Sequence, residues 1–227
     1  DTSWLYKPEK SGKEIFLGWL DDTNFLVYSW NTDGLSNLRK VDIEAIKVEP
    51  VWEDKFTAVA YDPESKKVLL VLGSSEAAGE EQGLFLLDPT GGDRTFISIE
   101  DASTADWIPE AGYFSLSTPN GKVMLSPQGD YFRMQVSELG QLIAAPDGKR
   151  LGWYGSGGLL IGEVKKLSQE PPQQFYKSPV TSAIWAPDSE TVFFFSLAGF
   201  YMVQPPYDNP ILLEPGIASQ DLAWVYP

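Results

Sequence analysis

A unit of about forty residues recurs along this chain, and a repeat of that length constrains the fold before composition enters. Its clearest copies are Trp185-Ala186-Pro187-Asp188 ahead of the run ETVFFFS, and Ala144-Ala145-Pro146-Asp147-Gly148 ahead of KRLGWYGS. The same signal stands at Gly18-Trp19-Leu20-Asp21-Asp22 before NFLVYSW, at Ala60-Tyr61-Asp62-Pro63-Glu64 before KKVLLVLG, and at Asp106-Trp107-Ile108-Pro109-Glu110 before GYFSLS. Ala223-Trp224-Val225-Tyr226-Pro227 begins it a sixth time. Measured at positions 19, 61, 107, 144, 185 and 224, the steps are 42, 46, 37, 41 and 39 residues. Five steps so nearly equal describe one structural unit used repeatedly.

The turn chemistry says what that unit is. A short apolar run stops at Pro-Asp or an equivalent, where proline pre-sets φ and the aspartate side chain closes a tight turn. A β-branched and aromatic run leaves the turn, as the returning strand of a hairpin should. After a polar gap comes a third apolar run, at 37–43, 84–87, 159–164 and 200–203. A second turn leads to a fourth, at 95–99, 173–176 and 210–213. Four antiparallel strands per forty residues are the content of a β-propeller blade. Helical periodicity is lacking over any three turns, so the chain is expected to be all-β.

The unit W-x-P-D followed by a β-run resembles the TolB-type propeller repeat, a relative of the Trp-Asp repeats. Trp185-Ala186-Pro187-Asp188 and Ala145-Pro146-Asp147-Gly148-Lys149 carry the resemblance best; Asp21-Asp22 and Pro109-Glu110 depart from it. The resemblance implies a single propeller domain over residues 1–227 and an extracytoplasmic, bacterial setting. It implies little about activity, because propellers host binders, enzymes and scaffolds alike. Blades are expected to begin near Trp19, Tyr61, Trp107, Ala144 and Trp185, with a sixth assembled from 2–16 and 218–227 so that no raw sheet edge remains. A five-bladed ring, or a piece of a larger propeller, is the alternative.

Composition narrows function mainly by exclusion. The chain has 227 residues, neither histidine nor cysteine, and a formal charge of −15 from 17 basic and 32 acidic side chains. Ser-His-Asp and Cys-His catalysis, disulfides, thiol redox and imidazole or thiolate metal sites are thereby ruled out. Nucleic acid, which selects basic faces, is an unsuited partner. The longest apolar stretch, 191–203, has 13 residues against the ~20 of a membrane helix, and reads as a strand pair. The abrupt start at Asp1 reads as a mature or excised domain. No cofactor and no metal site are expected.

Two loop classes are expected at one end of the blades: the connections between blades, and the turns between second and third strands. They place Trp30, Asn31, Asp33, Trp52, Glu53, Asp54, Asp101 and Glu138 around a common mouth. Acids with exposed aromatics there suit a basic protein or a glycan. The Pro-Asp aspartates are expected to be turn-formers, Gly73–Gly83 a solvated acidic loop, and Gly155-Ser156-Gly157-Gly158 a loop without the helix a phosphate cradle needs. The leading reading is a monomeric, non-enzymatic binding or scaffold propeller. The rival is a glycan-cleaving propeller using carboxylates alone, for which Asp54, Asp106 and Asp221 are candidates.

Overall fold

A computed structural model of the chain describes residues 13–30, 36–73, 82–134, 140–206, 209–217 and 222–223. The turn that the repeat marks with aspartate is closed by the aspartate itself. Asp21 Oδ1 accepts the backbone N–H groups of Thr23 and Asn24 at 2.9 and 2.8 Å. Asp62 accepts those of Glu64 and Ser65 at 2.9 and 3.2 Å, Asp147 that of Lys149 at 3.0 Å, and Asp188 those of Glu190 and Thr191 at 2.8 and 3.1 Å. Where the third unit has glutamate, the backbone closes the turn alone, with Gly112 N–H donating to Ile108 O at 2.9 Å. Asp42 and Asp88 cap the turns between third and fourth strands in the same way.

Each such turn joins two strands of a four-stranded antiparallel sheet, and the described residues form five sheets in chain order. The first holds β1 (Lys13–Trp19), β2 (Asn24–Trp30), β3 (Ser36–Asp42) and β4 (Lys47–Asp54); the second β5 (Phe56–Asp62), β6 (Lys67–Leu72), β7 (Gly83–Leu87) and β8 (Arg94–Ser98). The third holds β9 (Thr104–Ile108), β10 (Tyr113–Thr118), β11 (Gly121–Leu125) and β12 (Tyr131–Arg133). The fourth holds β13 (Gln141–Ala144), β14 (Arg150–Gly155), β15 (Gly158–Glu163) and β16 (Gln173–Tyr176). The fifth holds β17 (Val180–Trp185), β18 (Val192–Ser196), β19 (Gly199–Val203) and β20 (Ile211–Pro215). A three-residue 3₁₀ turn, Val164–Lys166, is the one helical element among the described residues. This is the strand order of propeller blades, and the fold is an all-β propeller fold. No helix among the described residues is long and apolar enough to cross a membrane.

Three sequence expectations need adjustment. Residues 13–16, expected in a closing blade, belong to β1 of the first sheet, because Phe16 and Ile15 pair with Val27 and Tyr28. Trp52, Glu53 and Asp54 are not in a connection but end β4, paired with Leu38, Asn37 and Ser36. Trp30 is the last residue of β2 rather than part of the following loop. Residues 2–12, 218–221 and 224–227 of the expected closing blade lie outside the described residues.

By compactness the chain divides into two units, the first of residues 1–107, 114–119 and 125–131, the second of 108–113, 120–124 and 132–227. In the first, Leu26, Tyr28, Leu38, Phe56, Tyr61, Leu70 and Phe85 pack into one core between the first two sheets. Tyr61 ties these sheets together: its hydroxyl donates to Trp19 O at 2.9 Å, and its ring stands 2.7 Å from where a Cβ on Gly18 would sit. In the second unit, Trp153 is fully buried with Ile108, Met124 and Leu151, and Trp185 packs with Ala145, Leu159 and Phe194. Its successive turns touch as well. Ser189 Oγ accepts the N–H of Asp147 at 3.0 Å, and Gly148, at φ +68°, leaves no room for a Cβ beside Glu110 O.

Two predictions follow from the turns. Ile46 holds φ at +51° in an exposed turn, where a β-branched residue is strained by about 1–2 kcal/mol. Ile46→Asn, which tolerates that region, should raise Tm by about 2–4 °C in a thermal melt. The turn carboxylates set the acid response. The backbone N–H of Thr23, then the Asn24 side chain, lower the Asp21 pKa from 3.8 to about 2, and the N–H of Glu190 chiefly lowers that of Asp188. A folded-state pKa below the unfolded one stabilises above the unfolded value and loses that contribution as pH falls through the folded value. The Tm gap between the native chain and Asp21→Ala should therefore be full above about pH 5 and close as pH falls from about 4 to about 2.

Candidate functional site

Strand register places several of the sequence candidates at one end of the first sheet. Lys13 pairs with Trp30, Trp30 with Ser36, and Ser36 with Asp54, so one row crosses all four strands. The next row is Glu14, Ser29, Asn37 and Glu53, on the opposite face. In the second sheet the matching end carries the row Phe56, Leu72 and Gly83. Glu100 and Asp101 follow β8 there, and Thr57 Oγ1 reaches across to donate to Ala102 O at 3.0 Å. Trp30, Glu53, Asp54 and Asp101 thus mark one end of the first unit. Asn31, Asp33 and Glu138 lie outside the described residues.

The two tryptophans have different surroundings. Trp30 is half-buried, its ring 5.3 Å from that of Tyr28 at 32°. Trp52 lies against the core between the first two sheets, with the Arg94 guanidinium 4.3 Å over its ring and 4.9 Å over that of Phe85. Its Nε1 is buried without a hydrogen-bond partner. Trp52 is therefore held between a cation and the core, whereas Trp30 borders open space. Glu53 and Asp101 are exposed and Asp54 is half-buried, its Oδ1 accepting the N–H of Lys55 at 2.8 Å.

That open space is a hollow of about 450 Å³. Ile15 and Leu17 of β1, Tyr28 and Trp30 of β2, Phe56 to Val59 of β5, and Thr104 with Ala105 of β9 line it. Its hydroxyls are already engaged: Tyr28 with Ser36 at 3.3 Å, Thr57 with Ala102 O, and Thr104 with Ser117 at 2.8 Å. None of the lining side chains is charged, and the interior is accordingly apolar and aromatic. The sequence reading did not anticipate the hollow. The available signal was the small residues at the starts of first strands, Thr57-Ala58 and Thr104-Ala105, which leave volume where larger side chains would fill it.

The carboxylates proposed for catalysis sit apart in character. Asp106 is exposed in mid-β9, Asp54 ends β4, and Asp221 lies outside the described residues. The displaced carboxylate pKa values among the described residues, those of Asp21, Glu49, Asp88, Asp147 and Asp188, are all lowered. Asp88 is lowered chiefly by the Thr90 hydroxyl, and Glu49 falls to about 2 between Lys40 and Lys47. Among the described residues, no three acidic side chains stand together as a metal site would require.

No family model matches the chain, and no curated protein does. Solved structures do. An oligogalacturonate lyase from Vibrio parahaemolyticus matches 86% of this chain at 15% identity with a TM-score of 0.58, and an oligogalacturonate lyase in complex with manganese matches 92% at 10% identity with a TM-score of 0.58. The chain spans 65% and 66% of their lengths. TolB from Acinetobacter baumannii matches 84% of the chain and 51% of its own, at 13% identity and a TM-score of 0.48. At such identities the likeness is one of fold.

The surroundings of the tryptophans give a test that needs no partner. Trp52→Ala removes a core wedge and the Arg94 stack, and should cost about 2–3 kcal/mol, somewhat below the ~3–5 of a fully buried tryptophan. Trp30→Ala, which empties the edge of an existing hollow, should lower Tm by less. Thermal melts of the two variants compare them directly.

Proposed function

We propose that this chain is a non-enzymatic binding module that presents the acid-rimmed, aromatic end of its first two sheets to a protein or glycan partner, and does so as a monomer. The observation that supports the reading is an apolar hollow lined in part by Trp30 and Ser36, with Asp54 paired to Ser36 at the strand end; Glu53 and Asp101, exposed at the same end of the strands, complete an acidic rim in this reading. An apolar interior excludes water from a partner's anchoring side chain or sugar face, while the rim steers a basic approach. Trp52 backs that rim from the core in this reading, and Asn31, Asp33 and Glu138 lie outside the described residues. The setting is extracytoplasmic, as the TolB-type resemblance implies.

The lyase likeness raises the rival reading, in which carboxylates cleave a glycan. One point favours binding: an oligogalacturonate is a polyanion, which a chain of charge −15 repels.

The test is a screen of the purified chain against arrays of glycans and of basic, aromatic-containing peptides, followed by kinetics on the best ligand. Association should slow about tenfold or more as salt rises from about 50 to about 500 mM, with dissociation changing little, because rim charges act through long-range steering. The combined variant Glu53→Gln, Asp54→Asn, Asp101→Asn should reproduce the high-salt rate with an unchanged melt. Release of sugar products that stops in Asp54→Asn or Asp106→Asn would establish the enzyme instead.

A further inference from the structure

Tyr176 is the last residue of β16 in the fourth sheet, where it pairs with Leu159, and a short connection then leads into β17 of the fifth. Tyr201 stands in the middle of β19 in the fifth sheet, paired with Phe194. The two tyrosines meet from different sheets of the second unit, with ring centroids 5.2 Å apart at 48°. Phe194 touches both, at 5.1 Å from Tyr176 and 5.2 Å from Tyr201, and is itself fully buried. The core thus fixes the pair from one side, while both tyrosines stay half-buried and open to small molecules.

Their hydroxyls meet as well. Those of Tyr176 and Ser196 share a hydrogen bond of 3.0 Å, and a hydrogen bond with Tyr176 chiefly raises the Tyr201 pKa above its ordinary 10. Two phenols joined in this way turn toward each other the ring carbons that flank the hydroxyls, the Cε atoms. On those carbons a phenoxyl radical carries much of its unpaired spin, and there two such radicals couple. The chain has no cysteine, so a covalent brace between sheets has to come from other chemistry.

We propose that Tyr176 and Tyr201 form an oxidative modification site, at which a one-electron oxidant fed by hydrogen peroxide joins them through a Cε–Cε dityrosine bond between the fourth and fifth sheets. Each phenol gives one electron to the oxidant and its hydroxyl proton to solvent, that of Tyr176 by way of Ser196. The two phenoxyl radicals couple at Cε, and the hydrogen displaced from each Cε returns to the oxygen, which restores both hydroxyls. Two electrons and two protons leave in all, and they reduce one hydrogen peroxide to two waters. The bond closes residues 176–201 into a loop and removes conformational freedom from the unfolded chain, as a disulfide does.

Peptide mapping of the full chain tests the site. The chain is treated at low concentration with hydrogen peroxide and a haem peroxidase, and the monomer is isolated by gel filtration. Trypsin cuts after Lys166 and Lys177, so the link should join peptides 167–177 and 178–227 into one species lighter than the pair by two hydrogen atoms. Fragmentation should place the bond on Tyr176 and Tyr201. Because those rings are held in contact, this link should be about tenfold or more abundant than any other tyrosine pair in the monomer. The cross-linked monomer should melt about 5 °C or more above the untreated chain. Tyr201→Phe keeps the ring on Phe194, removes the phenol and should abolish the linked species. The map of the native chain decides the matter even if that variant fails to fold. A bond on Tyr207 or Tyr226 in place of Tyr201, dityrosine confined to dimers, or its absence from the treated monomer overturns the proposal. None of these readouts involves a ligand, so they stand or fall independently of the binding function proposed above.

Discussion

The architecture depends on one small interaction, an aspartate carboxylate accepting the backbone N–H groups two and three residues further on. It recurs at Asp21, Asp62 and Asp188, with a single bond at Asp147. Each instance fixes the hairpin between the first and second strands and with it the register of the following sheet. The turn also does more than reverse the chain. Because Tyr61 donates to Trp19 O and Ser189 accepts from Asp147, successive turns are bonded to one another as well as internally. A local motif thereby becomes the spacing element between sheets.

That spacing explains the division of labour within each sheet. Second and third strands are covered on both faces, and β6 is buried from Val68 to Leu72. Fourth strands are more open: β20 is exposed throughout, and β4 has no buried residue and is exposed at half its positions. First strands carry small residues where the hollow forms and, Ala144 apart, aromatic ones at the repeat position. Open volume thus arises where the repeat relaxes its packing demands, and burial where it enforces them.

Electrostatics reinforces the same partition. Carboxylates with lowered pKa values are engaged by turn N–H groups, hydroxyls or lysines, and serve structure. Glu53, near the end of β4, and Asp101, after β8, are exposed. A chain of charge −15 can therefore commit many acids to turns and still leave others at the surface.

The amino-acid order alone determined the strands and their turns. The runs expected at 84–87, 173–176 and 200–203 appear as β7, β16 and β19, because proline, aspartate and glycine act over a few residues and leave their mark locally. The same locality explains the misreadings. Trp52 reads as a loop aromatic, since nothing near it in sequence reveals Leu38 beside it or Arg94 above its ring. Residues 13–16 read as a closing strand because an apolar run does not announce its partner, which proved to be β2. The hollow depends on Tyr28, Phe56 and Thr104, from three different sheets, and the exposure of Trp19 depends on what lies beyond its own sheet. Short-range hydrogen bonding is written in the sequence; which apolar face meets which, and where space is left between them, is decided by packing over long separations, and only the tertiary structure resolves it.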